Sequence, residues 1–171
     1  MHDDLAWLNS LPPVEAEKEL LQCCGSTRWA QQMAAARPYR TLENLTATAN
    51  ELWWSLDRND WLEAFRSHPK IGEKKAADPV STQASQWSGQ EQAGVATASQ
   101  ETVDSLATLN RAYEEKFGFI FIICATGKTS AEMMSSLRER LEHDAVDELP
   151  IAAAEQSKIT ALRLNKLLTS G

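Results

Sequence analysis

His68-Pro69-Lys70-Ile71-Gly72 carries the strongest chemical signal in this 171-residue chain. Histidine is the side chain most readily tuned to move protons near neutrality. Here it stands directly before a proline, at the end of an apolar helical pattern of Trp61, Leu62 and Phe65. Proline bars the preceding residue from the α region and has no N–H of its own. His68 is therefore expected off the helix, extended, with its imidazole at a helix-to-loop junction. Gly72 frees the backbone to turn tightly or to approach a ligand. Of the three histidines only His68 is pinned in this way. His143, near a helix C-terminus, is accounted for by the helix dipole, and His2 belongs to the N-terminal tail.

Other residue groups have two readings each. Ser88-Gly89-Gln90-Glu91 matches a capping box, in which Ser88 accepts from the Glu91 N–H and Glu91 reaches back. That reading needs no function. The functional one sets Glu91 on the first turn of a helix beside the loop that His68 opens, where the positive helix end also favours an anion. Arg163 lies between Leu162 and Leu164. A solvated arginine is the default, but a guanidinium at the edge of a core can clamp a carboxylate through two parallel bonds. Thr126-Gly127-Lys128-Thr129 is half a phosphate loop, but Ile122 stands where the cradle needs glycine, so nucleoside triphosphate binding is excluded. Helix capping by Thr129 suffices. Cys23, Cys24 and Cys124 fit neither a disulfide framework nor zinc spacing and read as buried reduced thiols. No nucleophile elbow, metal-binding His/Glu pair or dinucleotide fingerprint occurs in the sequence. The expected chemistry is acid–base work with no metal and no cofactor.

The elements that must position these groups read as helices. Pro12-Pro13 opens a helix that stops at Gly25. Ser26 caps a second that ends before Pro38, Thr41 a third reaching Leu56, and Asn59 or Asp60 a short fourth. The pattern lapses from His68 to Gln86, a long loop that includes Lys74-Lys75. Helix resumes near Ser88 and runs to Phe117, with a break near Ala98 to Thr102, and Gly118 ends it. Phe119 to Cys124 is strand-like but has no partner run. It is expected to thread the core as an extended or helical segment. Thr129 or Ser130 starts another helix to about His143, and a last begins near Pro150. The expected fold is all-α, a single-domain bundle of about eight or nine helices over residues 1–171.

Composition bounds the partners. Seventeen basic against 24 acidic residues give a net charge of −7, which argues against nucleic acid as a partner. A small anionic substrate remains open, because one buried arginine and a few N–H groups bind locally despite global charge. No apolar run is long enough to span a bilayer, so no membrane partner is expected. The acidic N-terminus lacks the order of a signal peptide, and a cytoplasmic location is expected.

Several stretches match together in order. They are Cys23-Cys24-Gly25-Ser26 with Trp29-Ala30 and Arg37-Pro38, then His68 to Gly72, then Ser88-Gly89-Gln90-Glu91-Gln92. Tyr113 with Lys116-Phe117-Gly118-Phe119 follows, and then Lys158-Ile159-Thr160 with Leu162-Arg163-Leu164. Over nearly the whole chain this resembles the 2-oxo-4-hydroxy-4-carboxy-5-ureidoimidazoline (OHCU) decarboxylases of urate degradation. The resemblance implies an all-helical homodimer without cofactor that converts OHCU to (S)-allantoin and CO2. It implies that His68 is catalytic with Glu91 as its acidic partner, and that Pro69, Ser88 and Gln92 line the substrate pocket. It further implies that the backbone of Phe121, Ile122, Ile123, Cys124 and Ala125 binds the ureido and ring groups, and that Arg163 binds the carboxylate. The alternative is a non-catalytic helical binding or scaffold module.

Overall fold

The computed structural model describes residues 4–73 and 76–169. His2 and the Lys74-Lys75 pair lie outside them. Among the described residues there are nine α-helices and no strand: α1 Asp4–Ser10, α2 Pro13–Leu21, α3 Thr27–Ala35, α4 Leu42–Trp54, α5 Arg58–Arg66, α6 Thr82–Glu91, α7 Gln100–Phe117, α8 Ser130–Leu141 and α9 Ala145–Thr169. The all-α expectation and the helix count hold. The chain divides into two compact units, residues 1–64 with 157–171, and residues 65–156.

The first unit is set by local signals. Pro13 occupies the first turn of α2, where its missing N–H costs nothing. Ser26 caps α3 by accepting from the Trp29 N–H at 3.3 Å, and Thr41 caps α4 from the Asn44 N–H at 3.0 Å. Leu8, Leu20, Trp29, Met33 and Leu45 are fully buried. Trp29 donates its indole N–H to the Ala49 carbonyl at 3.1 Å, so its one polar atom is satisfied inside the core. Helix α1 has no counterpart in the sequence reading. It is seven residues long and buries only Leu8, too little for a periodic signal.

In the second unit the helical run expected from near Ser88 to Phe117 is interrupted before Gln100, in keeping with the break expected near Ala98 to Thr102, but its first part starts earlier than expected. Helix α6 begins at Thr82, a short 3-10 turn covers Ala93–Val95, and α7 begins at Gln100. Gly118, at φ 83°, ends α7 in the left-handed region that favours glycine. The chain then runs from Phe119 to Ala125 with neither helix nor strand, and Phe119, Phe121, Ile122, Ile123 and Ala125 are buried. The rings of Phe65, Tyr113, Phe117, Phe119 and Phe121 pack about it, with centroids 4.5 to 6.1 Å apart. Aromatic packing takes the place of a partner strand.

The last helix starts five residues before Pro150, which lies in its second turn. Pro150 withholds the N–H that the Val146 carbonyl would receive. Val146 is 84% exposed, so water can take that carbonyl and the helix tolerates the proline.

Candidate active site

Helix α5 stops at Arg66, and the His68 N–H closes its end on the Phe65 carbonyl at 3.1 Å. Pro69 then forbids continuation. His68 lies past the helix end at this junction, as its position before proline predicts, and it is also buried. Its Nε2 lies 2.6 Å from Oε1 of Gln156, a fully buried residue of α9.

The loop after His68 is tied down at successive residues. Lys70 pairs with Glu114 at 2.8 Å, which holds the lysine above its ordinary pKa. The Ile71 carbonyl accepts from Asn110 at 2.8 Å, and the Gly72 N–H donates to Gln92 Oε1 at 3.0 Å. Gly72 has φ 90°, a left-handed conformation in which a side chain would be strained. Pro69, Gly72, Ser88, Gln92 and Val95 are among the residues lining a cavity of about 530 Å³ in this unit. Three sequence-predicted pocket residues, Pro69, Ser88 and Gln92, thus share one cavity. A hollow of about 710 Å³ in the first unit, between α4 and the end of α9, is lined by none of the predicted site residues.

The capping-box reading of Ser88 to Glu91 is corrected. The cap of α6 is Ser81, which accepts from the Ala84 N–H at 3.0 Å. Ser88 and Glu91 lie in the last turn of that helix, both buried. Glu91 therefore sits at the negative end of a helix dipole, and the argument for an anion at a positive helix end fails. Among the described residues the box with both bonds is Thr129 with Glu132, where the Thr129 N–H and hydroxyl hold the Glu132 carboxyl below its usual range.

The run Phe121 to Ala125 is held from two sides. Glu155 of α9 accepts the Cys124 N–H at 3.1 Å. Arg140 of α8 donates to the Ile122 carbonyl, and its guanidinium lies 4.6 Å from the Phe121 ring centre. Arg140 is in turn fixed by Glu148, fully buried, whose Oε1 also accepts from the Tyr113 hydroxyl at 2.5 Å. Glu148 Oε2 meets His143 Nδ1 at 2.9 Å. His143 thus has a specific carboxylate partner beyond the helix dipole. Two backbone groups of the sequence-predicted substrate ribbon are already engaged by the protein, which fixes where its remaining groups stand. The Cys124 thiol is half-buried and raised in pKa, chiefly by burial, with Glu155 and Glu91 adding to the rise. That places Glu91 within electrostatic reach of the ribbon and makes Cys124 a poor nucleophile.

Arg163 belongs to the first unit. It is 3% exposed and donates to the Gln22 carbonyl at 3.0 Å, so the solvated reading is excluded. Cys24, beside Ser26, Thr160 and Arg163, is pushed up to about 12 by burial. All three cysteines are free, with Cys23 and Cys24 buried as expected.

The sequence reading missed Gln156, Glu155, Arg140 and Glu148. A signal for Gln156 existed. Positions 152, 156, 159 and 163 form one helical face, on which Gln156 and Arg163 interrupt an apolar stripe of Ala152 and Ile159.

A buried histidine at a proline junction, a buried carboxylate closing α6 and a clamped backbone ribbon define an all-helical protein equipped for proton transfer. The sequence profile of the family described as OHCU decarboxylase matches residues 9–165, and the chain belongs to that family. It is 43% identical over 154 residues to the uric acid degradation bifunctional protein TTL of Arabidopsis thaliana, covering 90% of this chain and 47% of that protein. The chain thus spans about half the length of that relative. It is 31% identical over 136 residues to a 2-oxo-4-hydroxy-4-carboxy-5-ureidoimidazoline decarboxylase of Xenopus laevis, covering 80% of this chain and 74% of the relative. Among solved structures, an OHCU decarboxylase crystallised in the presence of (S)-allantoin superimposes with a TM-score of 0.77 at 40% identity, covering 89% of this chain and 98% of that one.

Proposed function

We propose that this protein is a carboxy-lyase of urate degradation that converts OHCU to (S)-allantoin and CO2. The observation that carries the reading is the family match over residues 9–165. The burial of His68 at the Pro69 junction supports it. The protein works without cofactor, as a cytoplasmic homodimer.

The chemistry suits these residues. The substrate carbon bears both a hydroxyl and a carboxylate beside a ring imine. When the bond to the carboxylate breaks, CO2 leaves and the electron pair passes into the ring toward the imine nitrogen. Hydrogen-bond donors stabilise that charge, and backbone N–H groups of the Phe121 to Ala125 ribbon supply them. The hydroxyl then becomes a carbonyl, and the neighbouring ring carbon gains a proton on one face only. His68 carries that proton, and Glu91 orients the substrate hydroxyl or the imidazole. Pro69, Ser88 and Gln92 shape the pocket wall. Arg163 provides the planar fork that a carboxylate fits.

The test is incubation with freshly generated OHCU, followed by circular dichroism. The expected result is accelerated appearance of one allantoin enantiomer. Racemic product at the uncatalysed rate would leave the protein a helical binding module and overturn the reading.

A further inference from the structure

A fully buried amide is an unusual occupant of the middle of α9. Gln156 follows Ala152 and Ala153, also fully buried, and precedes Ile159 on an apolar stripe. Packing alone would be served better by leucine, since a buried amide costs free energy unless it is hydrogen-bonded. Its carbonyl oxygen meets His68 Nε2 at 2.6 Å, across 88 residues of sequence.

We infer that Gln156 is a positioning residue that commits Nε2 of His68 as a hydrogen-bond donor and so makes Nδ1 the nitrogen that exchanges protons with substrate. A carbonyl oxygen can only accept, and a neutral imidazole has one N–H. With the proton on Nε2, the basic lone pair is on Nδ1. The choice of amide matters as well. A carboxylate there would stabilise imidazolium, whereas a neutral acceptor orients the ring and leaves it free to act as a base. The adjacent residue supplies the contrast. Glu155 puts its carboxylate on the Cys124 N–H, and Gln156, about 100° further round the helix, puts its amide on the ring. One turn of α9 thereby fixes both the ribbon and the imidazole.

The catalytic half of this inference rests on the proposed decarboxylation. Nδ1 takes the proton of the substrate hydroxyl as CO2 departs and the electron pair passes into the ring. The same proton returns from Nδ1 to the ring carbon, while solvent protonates the ring nitrogen. His68 ends neutral, its Nε2–H donated to Gln156 throughout. The net reaction takes up one proton for each CO2 released.

The experiment combines imidazole 15N spectroscopy of the whole protein, under conditions where His68 is neutral, with steady-state kinetics. His68→Asn serves as the assignment control. The parent should show the Nε2–H tautomer with an exchange-protected ring proton. Gln156→Leu should fold, lose that protection, and lower kcat on the order of tenfold to a hundredfold with KM little changed. Gln156→Glu, which keeps an acceptor and guards against a Leu variant that fails to fold, should retain the protected Nε2–H, show the doubly protonated ring at neutral pH and lower kcat. A proton found on Nδ1 in the parent overturns the inference, as does a parental kcat in both Gln156 variants. A parent that fails to turn over OHCU while showing the protected Nε2–H overturns the proposed reaction, and this use of Nδ1 with it.

Discussion

In the proposed reaction three side chains carry the chemistry, and each fails differently when replaced. His68→Asn keeps a polar group at the α5 junction but cannot cycle a proton, so turnover above the uncatalysed rate should vanish while circular dichroism shows an intact fold. Glu91→Gln is now a cleaner test than the sequence alone allowed. Glu91 closes α6 rather than opening a helix, so no cap is at stake. The variant should fold and lose activity, and full activity would remove the carboxylate from the mechanism. Arg163→Lys keeps the charge but loses the fork. Losing a buried charge-assisted bond costs about 1.5–3 kcal/mol, on the order of ten- to over a hundredfold in binding. Arg163 also donates to the Gln22 carbonyl, so some thermal stability should go as well. Steady-state kinetics on OHCU should show a rise in KM that exceeds, in free energy, the stability loss read by thermal unfolding. At this scale the sequence made His68 visible because proline constrains its neighbour through covalent geometry. Gln156 shows in the sequence only as a polar break in an apolar stripe, because its meaning depends on a partner 88 residues away.

At the scale of elements, caps were legible where one oxygen faced one unsatisfied turn, as at Ser26, Thr41 and Thr129. Helix α6 was misread for a physical reason. Its apolar residues are only Ala84 and Trp87, so no periodicity fixes its span, and Ser88 to Glu91 matches a capping box as well inside a helix as at its start. The distinction is measurable. Ser81→Ala should cost about 0.5–2 kcal/mol in urea unfolding, the usual loss of an N-cap. Ser88→Ala should spare the start of α6 and act on substrate binding. A larger stability loss at Ser88 than at Ser81 would mean that the cap is wrongly placed. The ribbon shows the converse. Its sequence says strand, but aromatic rings, Arg140 and Glu155 hold it singly, and no local pattern announces three distant elements converging on one segment.

For the whole molecule, the acidic balance and helical composition were readable from the chain, while the grouping into two compact units was not, because it depends on contacts rather than pattern. Burial also gives the molecule a definite response to alkali. Cys24 is raised from 9.0 to about 12 and Tyr39 from 10.0 to about 12, and Tyr113 is raised too, each chiefly by burial. In each case the native state holds its proton at a pH where the unfolded chain has released it. Stability then falls as pH rises, because the native state binds more protons. These contributions are complete below pH 9, the ordinary value for the thiol, and are lost as pH climbs toward about 12. The urea midpoint, followed across that range, should fall from pH 9 upward on account of these groups, with the raised Cys124 thiol and Lys70 ammonium adding to the fall. Tyr113→Phe should remove part of the slope above pH 10. Tyrosinate absorbance should rise together with the loss of helical circular dichroism for the two buried tyrosines, the only tyrosines in the chain. Full tyrosine ionisation near pH 10 in a protein that keeps its helices would contradict the burial of Tyr39 and Tyr113, and with it the packing of Tyr113 that holds Arg140 against the ribbon.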